Sequence, residues 1–272
     1  MKASAPCFKG TLKTKRFLIP YRIYKNNGPH IICINGVQQS MAMWQTFVSR
    51  FCRDYRIVLF DFPNLGKARV ISGSPLVSLE EQVEILSEVM DKTGTSPDGS
   101  ICAASWGGVI AAAFAAKYRD RIKRLILASL GTKPNKKMIE TIKKGSSLDM
   151  NNREQVAQTL IKSFGETLPP RIKQHIVNQF RTMKEESVRA FYEHGLFVVS
   201  SKQLSEIVDL RNIKAKTILI NGEKDTIIDL EDVKFLASQI PDCELKIIKD
   251  VGHFLHMERE EVLDIYEDIL RQ

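Results

Sequence analysis

Ser105 stands in Ala103-Ala104-Ser105-Trp106-Gly107-Gly108, behind the apolar run Ser100-Ile101-Cys102-Ala103-Ala104 and ahead of the Ala-rich stretch Trp106 to Tyr118. A hydroxyl becomes a useful nucleophile only when a base takes its proton. It is best presented on a sharp strand-to-helix turn at the carboxyl edge of a sheet. Small residues two before and two after the serine let strand and helix approach each other there, and here they are Ala103 and Gly107. Ala103 stands where glycine is usual, a difference of one methyl. A helix starting behind Ser105 also turns its positive dipole end toward any charge that develops there. The bland alternative is an ordinary strand-turn-helix that happens to carry a serine.

The five histidines are His30, His175, His194, His253 and His256. His253, in Asp250-Val251-Gly252-His253-Phe254, follows the last apolar strand run and precedes the last helical run, which puts it at the same sheet edge as Ser105. His30 begins a strand and falls at the opposite edge. His256 reads as a surface neighbour or a pocket residue. A general base needs a partner that fixes its tautomer and stabilises the imidazolium. Asp225, in Asn221-Gly222-Glu223-Lys224-Asp225 after the penultimate strand run, is the candidate, with Asp229 a weaker one. The order Ser105, Asp225, His253, each in a loop after a strand, is the order in which one known fold supplies a triad.

An oxyanion needs two main-chain donors. The N–H of Trp106 is one, and the N–H of Val37, in Asn35-Gly36-Val37-Gln38 after the Ile31 to Ile34 run, is the other. Gly36 gives that turn room. Asn35, Gly36 and Gln38 are candidates for substrate contact, together with Phe62 in Asp61-Phe62-Pro63-Asn64-Leu65-Gly66, where Asp61 reads as a cap on local amides.

The elements that must position these residues follow from the hydrophobic pattern. Residues 16–25 alternate and read as an antiparallel hairpin or bent edge strand. His30 to Ile34, Arg56 to Phe60, Ser100 to Ala104, Ile122 to Ala128 and Lys216 to Ile220 are short, continuously apolar runs suited to strands buried on both faces. Glu244 to Lys249 is the last strand. Leu79 to Lys92, with Ser78 as N-cap, Trp106 to Tyr118, Leu230 to Gln239 and Arg259 to Leu270 carry helical periods. Alternating strands and helices imply an α/β fold with a mostly parallel sheet flanked by helices. Residues 131–208 carry no strong strand signal and read as a helical lid inserted into a core of residues 1–130 and 209–272. In that insertion Phe164, Phe180, Phe191, Tyr192, Leu196 and Phe197 either line an acyl tunnel, with Phe197 as a substrate contact, or form the insertion's own small core.

Composition narrows the class. The hydrophobic fraction of 43% and charged fraction of 26% are those of an ordinary globular chain, and no apolar run reaches the length of a membrane span. The start, MKASAPCFKG, has no apolar core of a secretory signal, so a cytoplasmic location is expected. Cys7, Cys33, Cys52, Cys102 and Cys243 are scattered without metal-ligand spacing and read as free thiols. The net charge of +8 is concentrated in residues 131–202, with thirteen Lys/Arg against seven Asp/Glu. No nucleic-acid module accompanies it, so the excess reads as a solvated basic face or a dock for an acidic partner or a phosphate. No metal or organic cofactor is implied.

With these residues on the page, the chain resembles the α/β-hydrolases over nearly its whole length. It is most similar to the RhlA-like acyltransferases of rhamnolipid biosynthesis. The likeness lies in Ile34-Asn35-Gly36, Val58-Leu59-Phe60-Asp61-Phe62-Pro63, Ala104-Ser105-Trp106-Gly107-Gly108, Leu168-Pro169-Pro170-Arg171-Ile172-Lys173, Ile220-Asn221-Gly222 and Gly252-His253-Phe254-Leu255. Asn64 and Lys67 depart from that family's turn. The resemblance implies an α/β-hydrolase fold with a lid, and a small acyl ester or thioester substrate carried by acyl carrier protein or CoA. It further implies transfer of a 3-hydroxyacyl group onto a second hydroxyacyl chain. Hydrolysis of an ester or thioester is the alternative, since the triad is the same whether water or an alcohol takes the acyl group. A non-catalytic ligand-binding protein on the same fold is the second alternative, and it has no need of Ser105, Asp225 and His253 together.

Overall fold

A computed structural model describes residues 5–25, 27–37, 39–145 and 152–272. The continuously apolar runs become strands β3 (His30–Ile34), β4 (Arg56–Phe60), β6 (Ser100–Ala104), β7 (Arg124–Ala128) and β8 (Lys216–Gly222), nearly every residue of which is buried. Burial on both faces is what removes the polar alternation from their sequences. The amino-terminal edge is built differently. β1 (Phe8–Lys13) and β2 (Phe17–Tyr24) form an antiparallel pair, β2 pairs antiparallel with β4, and the short β5 (Arg69–Val70) pairs with β2. β9 (Cys243–Ile248) closes the other edge. The order β1-β2-β4-β3-β6-β7-β8-β9 is parallel from β4 to β9, so the chain ends of β3, β6, β7, β8 and β9 emerge along one edge.

Successive side chains of a strand point to opposite faces, and the two cores show it. Ile32 and Ile34 of β3 join the cluster under α2 (Leu79–Thr93), α3 (Trp106–Lys117) and α9 (Leu230–Gln239), whereas Ile31 and Cys33 join the cluster under α1 (Gln45–Phe51) and α10 (Val262–Arg271). Helix α2 starts as its sequence suggests. Ser78 accepts from the Glu81 N–H, and the Glu81 side chain returns to the Ser78 N–H, a reciprocal cap that satisfies two otherwise orphaned donors.

Between β7 and β8 run α4 (Lys136–Gly145), α5 (Arg153–Phe164), α6 (Pro170–Thr182), α7 (Glu185–Ser200) and the short α8 (Leu204–Ile207). Val156, Ala157, Val177, Phe180, Val188 and Tyr192 of these helices form a separate small cluster. The two ends of the segment are tied together: the Leu204 N–H donates to the Thr132 carbonyl at 2.8 Å, and the Thr132 N–H donates to the Asp232 carboxylate at 2.6 Å. Cys33 and Cys102 are buried thiols.

Candidate active site

Ser105 joins β6 to α3 in a left-handed conformation, φ 50° and ψ −123°. An L-residue there costs on the order of 1–3 kcal/mol and persists only where its surroundings over-determine it. Here the Ser105 N–H donates to the Ala128 carbonyl at 2.8 Å and the Gly108 N–H to the Ser105 carbonyl at 2.7 Å. Gly107 is needed for the same turn: a Cβ there would lie 2.6 Å from the Asn35 carbonyl oxygen and 2.8 Å from Ile34 Cγ2. The small residue beyond the serine is therefore required by the β3 chain end, which carries the expected oxyanion loop.

His253 follows β9, and its Nδ1 lies 2.8 Å from Asp225 Oδ2. The side chains are 6% and 0% exposed, so this contact is sheltered from water. The other carboxylate oxygen, Asp225 Oδ1, accepts from the N–H groups of Ile227 at 2.8 Å and Ile228 at 3.1 Å. With both lone-pair directions of Oδ1 occupied, Oδ2 is left to receive the imidazole N–H, which puts the free lone pair on Nε2. Ser105 and His253 border the same small cavity, together with Gln39, Ser129, His256 and Tyr266. Asp229, the weaker candidate, is elsewhere: its carboxylate accepts from Asn135 Nδ2 at 3.2 Å.

The loop after β3 presses on the serine. A Cβ on Gly36 would lie 3.2 Å from both Ser105 Cβ and the Ala104 carbonyl. Asn35 is buried and donates from Nδ2 to the Gln39 carbonyl at 2.8 Å, while Gln39 Oε1 accepts from the Gly36 N–H at 3.0 Å, so the loop is braced internally. Gln38 lies outside the described residues. Asp61 caps amides as expected, accepting from Met41 N–H at 2.6 Å and Lys67 N–H at 3.4 Å, and burial raises its pKa.

Two of the cavities that border Trp106 adjoin the predicted site residues. One of about 590 Å³ is bordered by Val37, Ser105, Trp106, Met138, Val198 and Ile228, with Lys133 and Lys202 also on its wall. The other, of about 680 Å³, is bordered by Asn35, Phe62, Gln82, Trp106, His194 and Phe197. Trp106 is fixed as the partition: its Nε1–H donates to Gln82 Oε1 at 2.9 Å and Phe197 meets its ring edge-on at 5.7 Å. The structure thus brings Val37 and Trp106 to the serine, and sends Asn35, Phe62 and Phe197 together to the far side of the tryptophan. Of the other aromatics expected to choose between tunnel and core, Phe180 and Tyr192 belong to the separate helical cluster, against which Phe191 packs. Leu196 borders none of these cavities.

Several residues around the site carry no signal of their role in the sequence. His194 and His256 are both held neutral, each pKa pushed down to about 4 by burial. His256 stacks on Trp44 and contacts the Met43 carbonyl at 3.3 Å. His30, at the opposite sheet edge, accepts from the Ser96 N–H at 2.7 Å. Among the described residues no three His, Cys, Asp or Glu side chains cluster as metal ligands.

Comparison with known proteins adds to this geometry. The alpha/beta hydrolase fold profile matches residues 29–260. The chain is similar to the (R)-3-hydroxydecanoyl-ACP:CoA transacylase of Pseudomonas putida, at 25% identity over 85% of this chain and 78% of that one. It is similar to the pimeloyl-[acyl-carrier protein] methyl ester esterase of Nitrosospira multiformis, at 25% identity over 83% and 88%. Among solved structures, a thermophilic esterase from Thermogutta terrifontis superimposes with a TM-score of 0.78 over 97% of this chain and 99% of that one, at 21% identity.

Proposed function

The chain belongs to the alpha/beta hydrolase fold family and is an enzyme of that fold; from that premise we propose that it transfers acyl groups through an ester of Ser105. The observation that carries the reading is the buried His253–Asp225 contact, set beside a strained Ser105 on a shared cavity. In the first half-reaction Ser105 Oγ bonds to the carbonyl carbon of an ester or thioester as His253 Nε2 takes its proton. The N–H groups of Val37 and Trp106 hold the oxyanion, worth about 10²–10³ in rate per donor. Collapse expels the alcohol or thiol, which leaves with the proton from His253. In the second half-reaction an acceptor O–H or S–H gives its proton to His253, attacks the acyl-enzyme, and regenerates Ser105.

The apolar wall of Val37, Met138, Val198 and Ile228 suits the acyl chain. Segment 131–208 acts as the lid over it. Lys133 and Lys202 border the same cavity, Lys136 and Lys137 open α4, and all four are exposed with no ion pair among the described residues. A cationic rim beside an apolar pocket favours a substrate whose acyl chain is attached to an anionic carrier, as a phosphopantetheine thioester of acyl carrier protein or CoA. The transacylase and the esterase named above both act, by their names, on carrier-linked acyl groups. The acceptor is then the hydroxyl of a second hydroxyacyl chain, as in the likeness read from the sequence, or a carrier thiol.

One observation favours water as acceptor. The small cavity that Ser105 and His253 share is also walled by His256 and Tyr266, whose Nδ1 and phenol oxygen are buried without partners. Such groups are commonly satisfied by ordered water. The test is to incubate the protein with 3-hydroxyacyl carrier-protein thioesters and identify products by mass spectrometry, beside Ser105→Ala. A Ser105-dependent ester or exchanged thioester supports transfer. Free acid alone assigns hydrolysis, and products unchanged by Ser105→Ala sink the serine mechanism.

A further inference from the structure

A histidine that must meet an acid on one side and a serine on the other needs its backbone fixed as well as its ring. The loop from Asp250 to Leu255 is poorly suited to hold itself: Asp250 and Leu255 both sit in the left-handed region, at φ 59° and 41°. Strained residues on both sides of His253 persist only if other groups pin the segment.

Glu258 supplies such a pin. The turn of residues 255–257 folds the chain back, with the Glu258 N–H donating to the Leu255 carbonyl at 3.0 Å and the Met257 N–H to Phe254 at 2.8 Å. Its carboxylate then straddles the histidine. Oε2 accepts from the Gly252 N–H at 2.7 Å and Oε1 from the Phe254 N–H at 2.8 Å. The carbonyl of His253 itself accepts from Ser129 Oγ at 2.6 Å. Ser129 is also left-handed, at φ 53°, and its own N–H donates to the Ile220 carbonyl at 2.8 Å, so the group that grips His253 is anchored at the ends of β7 and β8.

We propose that Glu258 is a positioning residue for His253, its carboxylate bridging the two peptide N–H groups that flank the histidine. With Ser129 on the intervening carbonyl, it forms a main-chain cradle that holds the imidazole between Asp225 and Ser105. The proposal rests on the reading of Ser105 as nucleophile. The charge matters alongside the geometry: charge-assisted hydrogen bonds from peptide N–H groups are shorter and stronger than neutral ones, and a single carboxylate can receive two at once. A side chain with one acceptor holds one flank and leaves the other N–H unmet.

The variants are Glu258→Ala, which removes both acceptors, and Glu258→Gln, which keeps one. The first measurement is the rate at which a fluorophosphonate labels Ser105, with kcat and KM on a short aryl ester beside it. Displacing a reacting group by about 1 Å costs on the order of 10²-fold. Glu258→Ala is expected to lose about that much in labelling rate and kcat, with KM within about twofold, and Glu258→Gln to fall between. The second measurement is the low-field proton resonance of the His253 Nδ1–Asp225 bond, expected to broaden in Glu258→Ala. Labelling and resonance both at parent values would overturn the cradle. So would a loss of rate that vanishes when each variant is compared at the same interval below its own Tm, since that is a stability effect alone. Should the parent itself fail to label, the nucleophile reading falls instead, and the resonance decides the cradle: sharp in Glu258→Ala refutes it, broadened supports it.

Discussion

Replacing Asp225 by Asn tests the site with almost no change of shape. Its Oδ1 already accepts from the N–H groups of Ile227 and Ile228, and its Oδ2 faces His253 Nδ1 at 2.8 Å. An asparagine must keep its carbonyl oxygen on the two peptide N–H groups, because turning the amide over would set an NH₂ against two donors. The NH₂ therefore points at His253 and donates to Nδ1. The imidazole can accept there only as the tautomer with its proton on Nε2, which cannot take a proton from Ser105. A wrong-tautomer change of this kind is worth about 10⁴ in kcat in the serine-protease case from which the figure is taken. Both backbone donors stay satisfied, so stability should shift by no more than about 1 kcal/mol, or about 2–4 °C in Tm. The assay is stopped-flow hydrolysis of an activated ester, following the acylation burst, with thermal melting alongside. The expected outcome is a burst slowed about 10⁴-fold with an unchanged fold. A burst within tenfold of the parent, at unchanged Tm, would refute Asp225 as the group that sets the tautomer.

Gly36→Ala places a methyl 3.2 Å from Ser105 Cβ and from the Ala104 carbonyl, so the loop carrying Val37 must retreat; kcat for ester cleavage should fall about 10²–10³-fold with KM little changed, and equal kcat would remove Val37 as an oxyanion donor. Lys133→Glu with Lys202→Glu should raise KM about tenfold or more for a carrier-linked thioester and leave a neutral ester unaffected, and the parent's KM should rise with salt; equal KM for both substrates would dismiss the cationic rim. Acid stability carries its own sign. His256 is held at about 4 against an ordinary 6.5, so the unfolded chain binds its proton more tightly and stability falls as pH drops from about 6.5 to about 4. The loss is on the order of 3 kcal/mol below pH 4, and His256→Phe, which keeps a ring on Trp44, should lessen the slope of the Tm-against-pH curve over that window, His194 still contributing a loss of the same sign; parallel curves would refute it.

What the sequence discloses follows the physics of burial. Strands β3, β4, β6, β7 and β8 are legible because both faces are covered and their buried stretches are mainly apolar, and α2 because of its helical period behind Ser78. β1 leaves no such trace: its residues are exposed or half-buried, with Lys9, Gly10 and Lys13 in six positions. Its existence depends on pairing with β2, a tertiary matter. Helix α1 has seven residues, too few for a period to stand out. At the site, Ser105, Asp225 and His253 are legible because each follows a recognisable strand. Glu258, Ser129 and Gln82 are not. Their roles arise when a turn folds back, a strand end bends left-handed, or two helices pack, and nothing in Met257-Glu258-Arg259-Glu260 distinguishes the glutamate that binds two amides from the exposed Glu260.

The same division separates chemistry from specificity. In the proposed mechanism, acyl-enzyme formation depends on three side chains and two peptide N–H groups at strand ends, positions that parallel pairing fixes. In that mechanism the choice of acceptor depends on cavity walls, and two of the cavities here share one wall. Trp106 is proposed to lend its main chain to the oxyanion position, and its ring, clamped by Gln82 and Phe197, forms the partition between the 590 Å³ and 680 Å³ spaces. Its two functions use different atoms. The peptide N–H is held by the elbow and is indifferent to the side chain, whereas the indole needs an acceptor on α2 and an aromatic edge on α7. The ring can therefore be replaced, and the partition opened or closed, without disturbing the donor. Acceptor preference on this scaffold can change independently of the triad, through residues on α2 and α7 that never touch the serine.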